Sequence, residues 1–167
     1  MSGIRIRDER GVALVEFALV LPLLLVMLFG MLEFGKAFNY WLDANHLANE
    51  GVRFAVVNKN PGAPAGQTLQ AWVKSQGDTN EFRNGGTNSV PTAPQVTICF
   101  PDGATESDSG DAVRVKVSVT YNLLPFLANR LGIGQVQLVG TATQRIERAA
   151  KAPLTPAYTA DNGGVCT

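Results

Sequence analysis

Near its N-terminus the chain contains an apolar run of 21 residues, VALVEFALVLPLLLVMLFGML, from Val12 to Leu32. Glu16 is the only ionisable residue in it. About 20 apolar residues in an α-helix, rising about 1.5 Å each, span the roughly 30 Å hydrocarbon core of a bilayer. The run therefore predicts a transmembrane helix. A cleaved secretory signal is the alternative, but its apolar core is shorter and ends at a site of small residues, whereas this run continues into EFGKAFNYW.

The charges on either side of the run predict its orientation. Arg5, Arg7 and Arg10 precede it, and an excess of basic residues stays on the cytoplasmic side of a membrane. We therefore expect a cytoplasmic N-terminus and an extracytoplasmic C-terminal domain. Four aromatic residues beyond the run suit either the outer membrane interface or packing along the helix: Phe34, Phe38, Tyr40 and Trp41.

The helical pattern continues past the membrane segment. Small and apolar residues follow at steps of three and four, and no proline intervenes before Pro61. These residues are Ala37, Trp41, Ala44, Ala48, Val52 and Ala55. We expect one helix from about Val12 to about Val57, in which residues 12–32 lie in the membrane and residues 33–57 project beyond it.

Residues 58–167 are expected to form a small extracytoplasmic domain. A proline- and glycine-rich break at 58–66 is followed by QTLQAWVKSQ at 67–76, which can form a short amphipathic helix. Alternating apolar and polar residues then predict three strands, at Val96 to Phe100, Val113 to Tyr121 and, more weakly, Gln135 to Arg148. A small antiparallel sheet packed against the long helix gives an α+β, pilin-like fold.

The two cysteines, Cys99 and Cys166, do not form a C-x-x-C pair, which argues against a zinc ribbon or a thioredoxin-like motif. In an extracytoplasmic domain an even cysteine count favours a disulfide, which here would tie the C-terminal tail to a strand. Two unpaired thiols are the alternative, because sequence alone does not fix the distance between the two Cα atoms.

The charge balance and the motifs exclude several classes of function. Lys plus Arg and Asp plus Glu both total 14, so no basic field attracts nucleic acid. The sequence shows no nucleophile and base pair and no phosphate-binding loop, so we expect neither an enzyme nor a cofactor. His46 and Glu50, four residues apart, are typical of a surface pair on a helix rather than a metal site.

An acidic loop, PDGATESDSGD at 101–111, is the remaining candidate for metal binding. It carries Asp102, Glu106, Asp108 and Asp111, but their spacing is not that of an EF-hand. A solvated hairpin loop is the simpler interpretation, with calcium as the alternative. In the same way, Arg114 and Lys116 are most simply the solvent face of a strand.

Glu16 requires an explanation, because a carboxylate within a transmembrane segment costs several kcal/mol unless it finds a partner or reaches the headgroups. It lies only about one turn into the helix, so its position alone leaves both interpretations open. Pro22, further along, removes one amide donor and leaves the Ala18 carbonyl without its usual partner, which predicts a kink or local unwinding.

The string RGVALVEF at 10–17 resembles the class III signal of type IV prepilins, in which a basic residue and glycine precede the scissile bond and glutamate lies five residues beyond it. The resemblance implies that a membrane-embedded aspartic prepilin peptidase cuts the Gly11–Val12 bond. Residues 1–11 would then be a leader. The new amine at Val12 would be positively charged near neutral pH, and the Glu16 carboxylate could accept the amine of a neighbouring subunit in a low-dielectric core and so set the assembly register.

Residues 10–57 as a whole resemble the N-terminal signature of TadE-like proteins, minor pseudopilins of the tight-adherence (Flp) pilus system. The matching details are Phe17 after the glutamate, EFG at 33–35 and EGVR at 50–53, and GTATQRIE at 140–147 more loosely resembles the last strand of that family. The resemblance implies an accessory subunit for pilus assembly and secretion. Its partners would be the prepilin peptidase, other pilin subunits, the inner-membrane pilus platform and membrane lipid.

The resemblance also implies a location in the bacterial inner membrane, with the C-terminal domain in the periplasm or incorporated into the pilus. A second hypothesis is an unprocessed, single-pass envelope protein that binds a partner, with Glu16 reaching the cytoplasmic headgroups. The N-terminus of the mature chain separates the two hypotheses.

Overall fold

The structure, a computed structural model, describes residues 9–103, 109–124 and 134–147, together with Tyr158, Asp161 and Cys166. For Glu9 and Arg10 it describes the backbone alone. The chain divides into two compact units, which we call unit 1 (Met1–Lys36) and unit 2 (Ala37–Thr167). Several residues named from the sequence lie outside the described residues: Arg5, Arg7, Glu106, Asp108 and Arg148.

The first element is the long helix α1, Glu9–Val56, of 48 residues. It confirms the expected continuous helix, although it begins three residues before the predicted Val12. All side chains from Gly11 to Leu32 are exposed, including 16 large apolar ones. Moving such a side chain out of water is worth about 1.5 to 3 kcal/mol, so this surface is suited to an apolar environment.

Unit 2 begins with α1 from Ala37 onward and continues through short helical elements. A 3₁₀ turn at Ala63–Ala65 follows the helix. Helix α2, Leu69–Ser75, lies where an amphipathic helix was predicted, and Thr68 caps it by accepting the Ala71 N–H. Helix α3, Asn80–Asn84, was not predicted. Its sequence signal is Thr79, whose side chain accepts the Phe82 N–H, as threonine commonly does at a helix start.

Three strands follow: β1 at Gln95–Cys99, β2 at Ala112–Asn122 and β3 at Gln135–Arg145. They form an antiparallel sheet in the order β1-β2-β3. The expected α+β architecture with a small antiparallel sheet is thereby confirmed. The alternation read from the sequence of β2 is the burial pattern of the strand, with the core face formed by Val113, Val115, Val117, Val119 and Tyr121.

The core of unit 2 lies between the sheet and the second half of α1. The helix contributes Ala44, Leu47, Ala48 and Val52, all completely buried. Gly140 of β3 determines how closely the two elements approach, because a Cβ atom added there would lie 2.3 Å from the carbonyl carbon of Ala44. Only glycine permits this contact between backbones.

Two of the described residues after β3, Asp161 and Cys166, lie against β1. Cys99, the last residue of β1, forms a disulfide with Cys166, with their Cα atoms 5.0 Å apart. The Ile98 N–H donates to Asp161 Oδ2 at 2.8 Å. Asp161 and the disulfide therefore fasten the end of the chain to this strand.

Candidate functional site

The candidate site lies in the first turns of α1, where Gly11, Val12, Glu16 and Phe17 follow one another on a single helix. Val12 and Glu16 are four residues apart, so they share one helix face. Val12 is 62% exposed and Phe17 61%, and Glu16 is also exposed. The Val12 and Glu16 side chains thus lie on one exposed side of the helix, and the other side chains from Ala13 to Leu32 are apolar.

The Gly11–Val12 peptide bond lies inside α1, whose described residues begin at Glu9. The sequence predicted a helix that begins after this bond. A peptidase requires an extended backbone, so this turn would have to unwind before cleavage. Gly11 lowers the free-energy cost of this unwinding, because glycine is less stable in a helix than alanine by about 1 kcal/mol. A Cβ atom at Gly11 would meet nothing within 4 Å, so packing does not require glycine there.

Pro22 lies within α1, and the chain remains α-helical on both sides of it. The kink or local unwinding expected at Pro22 stays a prediction. Proline has no N–H to donate to the carbonyl of Ala18. By length and composition, the apolar part of α1 is able to cross a membrane.

Tyr40, which the sequence offered either for the membrane interface or for packing along the helix, packs in the core of unit 2. It is only 7% exposed, and its ring lies 5.7 Å from that of Phe82 and 5.6 Å from that of Tyr121. Its hydroxyl donates to Glu81 Oε2 at 2.8 Å. Burial and this carboxylate raise the pKa of Tyr40 to about 12. Tyr40 therefore belongs to the core of unit 2, whereas Phe38 and Trp41 remain partly exposed.

Two carboxylates that sequence reasoning missed have structural roles. Asp43, beyond the apolar run, is 6% exposed and accepts the Asp78 N–H at 3.0 Å. Burial raises the pKa of the Asp43 carboxyl above its ordinary value. Asp161 accepts the Ile98 N–H on β1. No sequence pattern marks either residue, because both partners are distant along the chain.

The remaining candidates of the sequence are not drawn together. His46 is exposed on α1, and Arg114 donates through Nε to Thr143 Oγ1 at 3.1 Å on the outer face of the sheet. Among the described residues, no group of three or more His, Cys, Asp or Glu side chains is placed to hold a metal ion. Two members of the acidic loop, Asp102 and Asp111, are described.

Comparison with known proteins supports the resemblance seen in the sequence. A family model described as TadE-like protein matches residues 11–53. The match covers α1 from Gly11 to Arg53, including the apolar run, Glu16 and the first helical turns of unit 2. Neither the curated proteins nor the solved structures contain a match to the chain.

Proposed function

We propose that this chain, which is TadE-like over residues 11–53, is a minor pilin or pseudopilin that supports assembly of a tight-adherence pilus. TadE-like proteins are pilus-associated and structural rather than enzymatic. One observation carries the proposal: a single helix combines the family match, an apolar surface long enough to cross a membrane and a glutamate four residues after Val12.

The first step of the proposed function is processing by a prepilin peptidase. Water hydrolyses the Gly11–Val12 peptide bond, leaving a carboxylate at Gly11 and an amine at Val12. The bond lies within α1, and glycine makes the helical turn there less stable than alanine would. This property favours access of the peptidase to the bond.

The second step is assembly, in which Glu16 binds the Val12 amine of a neighbouring subunit. A charged carboxylate on an apolar, exposed helix is costly in a bilayer or filament core unless it is paired. An amine generated by cleavage supplies the opposite charge, and it appears only on processed chains. Pairing therefore selects mature subunits and fixes the register in which their helices pack.

In this proposal residues 12–32 anchor the chain in the bacterial inner membrane, with the N-terminus in the cytoplasm and unit 2 in the periplasm. The basic residues before the apolar run support this orientation. The disulfide between Cys99 and Cys166 is compatible with it, because disulfides persist in the oxidising periplasm. The partners would be the peptidase, other pilin subunits and the inner-membrane platform.

The decisive measurement is the intact mass of the membrane-extracted chain, expressed with and without an active prepilin peptidase. We expect loss of residues 1–11 only when the peptidase is present, with Val12 as the new N-terminus. In the matched control, the chain is expressed together with an inactive peptidase. A chain that stays intact beside an active peptidase would contradict processing and would favour the unprocessed anchored protein.

Two substitutions separate the two steps. Gly11→Ala adds a methyl group where nothing lies within 4 Å and strengthens the helix by about 1 kcal/mol, so α1 should persist while cleavage becomes slower. Glu16→Gln keeps the shape of the side chain but removes its charge, so cleavage should continue while pilus assembly falls. Normal piliation of the Glu16→Gln strain would refute the pairing role.

A further inference from the structure

Unit 2 carries a second apolar surface, which the processing and assembly steps do not use. Among its described residues, five large apolar side chains are between 38% and 48% exposed. Three lie on α1 and two beside the connection from β2 to β3. We call them the apolar end: Phe38, Trp41, Leu42, Leu124 and Val136.

The register of the sheet places these five residues at one end of unit 2. Gly140 packs on Ala44, and further along the chain the Glu147 N–H donates to the Val56 carbonyl at 3.0 Å. β3 and the second half of α1 therefore run in the same direction. Moving back from Gly140 to Val136 covers about 14 Å at the strand rise of about 3.4 Å per residue.

The corresponding step back along α1, from Ala44 to Ala37, covers about 10 Å at a helical rise of about 1.5 Å per residue. Val136 thus lies level with the first turns of α1 in unit 2. The aromatic contact agrees with this, because Tyr121 is paired with Val136 and has its ring 5.6 Å from the ring of Tyr40. Leu124 follows in the same region, since the Leu123 N–H donates to the Gly134 carbonyl at 2.8 Å.

The opposite end of unit 2 has a different chemistry. A surface cavity there is lined by Arg53, Lys59, Gln144 and Glu147 together with apolar side chains from the last turn of α1. Val136 and Gln144 are both even-numbered residues of β3, so they point to the same face of the sheet. One strand therefore runs from an apolar end to a charged end.

We propose that the apolar end of unit 2 is a lipid-contacting surface that enters the outer interface of the membrane. The proposal rests on the proposed function, in which residues 12–32 span that membrane. Chain connectivity identifies lipid as the occupant, because Ala37 follows Leu32 by five residues, or about 7.5 Å of helix. The interface outside the hydrocarbon core is about 5 to 7 Å deep on each side, so the apolar end adjoins it.

The side chains suit this environment. Tryptophan favours the boundary between headgroups and acyl chains. Tryptophan, phenylalanine and leucine form the apolar faces of helices that lie on membranes and enter this boundary by about 5 to 10 Å. Contact at Leu124 and Val136 adds a second point of attachment beside the helix. Unit 2 would then be held against the bilayer by its sheet as well as by its anchor.

The test uses tryptophan fluorescence of the full-length chain in nanodiscs whose acyl chains carry bromine, a quencher confined to the bilayer. In a Trp41→Phe, Trp72→Phe background, single tryptophans replace Val136, Leu124, Gln144 or Phe29. Val136→Trp and Leu124→Trp should lose much of their fluorescence relative to unbrominated lipid. Gln144→Trp, on the same face of β3 about 27 Å away, should lose little.

Phe29→Trp, within the apolar run, tells the two proposals apart. If Phe29→Trp is quenched but Val136→Trp and Leu124→Trp behave like Gln144→Trp, the lipid-contacting surface is refuted and the anchor stands. If Phe29→Trp is not quenched, both proposals fail. Protection of Val136→Trp from aqueous iodide only when other pilus subunits are co-expressed would assign the surface to protein and also overturn the inference.

Discussion

Replacing Gly140 by alanine is the sharpest test of how unit 2 is packed. The new Cβ atom would lie 2.3 Å from the Ala44 carbonyl carbon, 2.4 Å from its oxygen and 2.5 Å from the Asn45 nitrogen. Non-bonded carbon atoms pack at about 3.5 to 4.0 Å, so α1 and β3 must separate locally by about 1 Å. Neither neighbour can turn aside, because all three atoms belong to the helix backbone.

The cost follows from the contacts that this separation weakens. A gap of about 0.5 to 1 Å forfeits a quarter to a half of each dispersion contact, and a buried leucine makes about 40 to 60 contacts of roughly 0.1 to 0.2 kcal/mol. For Leu47, completely buried on α1, the loss is about 2 kcal/mol. With Ala44 and Ala48 alongside, we expect Gly140→Ala to lower the free energy of unfolding by about 3 kcal/mol, at the upper end of typical overpacking.

Gly51→Ala is the matched control. It also adds one methyl group in the core of unit 2, but that group would meet side-chain atoms of Val73 and Val115 at 3.1 Å, which can move slightly. Alanine also favours the helix by about 1 kcal/mol over glycine, so this variant should stay within about 1 kcal/mol of the parent. Urea unfolding of the disulfide-intact chain in detergent, followed by near-UV circular dichroism, measures both. Equal stability of the two variants would refute the close approach of backbones at Gly140.

Three further predictions concern the interactions that hold unit 2 together. Replacing both Cys99 and Cys166 by alanine should lower the free energy of unfolding by about 4 kcal/mol, the chain-entropy value for a loop of this length, whose cysteines are 67 residues apart; an unchanged urea midpoint would contradict this. Asp43→Asn should remove a pH dependence. Burial raises the pKa of the folded-state Asp43 carboxyl above 3.8, so the free energy of unfolding of the parent falls as the pH rises from 3.8 through the raised pKa. The variant should lack this fall, and the difference in stability between variant and parent should grow over that range. Parallel pH profiles in thermal unfolding would count against this reasoning. Tyr40→Phe keeps the ring but removes the hydrogen bond to Glu81, and calorimetry should show a loss of roughly 1.5 to 3 kcal/mol, the usual range for a hydrogen bond to a charged group.

Much of the fold follows from local periodicity, which is a property of sequence. The apolar run and the three- and four-residue spacing predicted α1 as one helix, because helix faces repeat every 3.6 residues. Strict alternation of apolar and polar residues predicted β2, because the faces of a strand repeat every two residues. The short helix α3 was missed, since five residues carry too little periodicity, and only the cap at Thr79 marks its start.

The candidate site also contains residues that the sequence was sufficient to identify. Gly11, Val12 and Glu16 are close in sequence, so a helix alone determines their spacing, and the order of residues was sufficient to identify them. Tyr40 shows the limit of that reasoning. Its position beyond an apolar run left a membrane interface and packing along the helix both open, and only the fold brings Tyr40 into contact with Phe82, Tyr121 and Glu81.

The apolar run, the helix that carries it and the residues proposed for processing therefore follow from the order of residues, because each depends on neighbours within a few turns. The remaining contacts exist only in the folded chain. Tertiary structure packed Gly140 on Ala44, brought Asp161 to β1 and placed Val136 level with the start of unit 2. These contacts join residues many positions apart, and the register of the sheet, which no local pattern specifies, determines which of them meet.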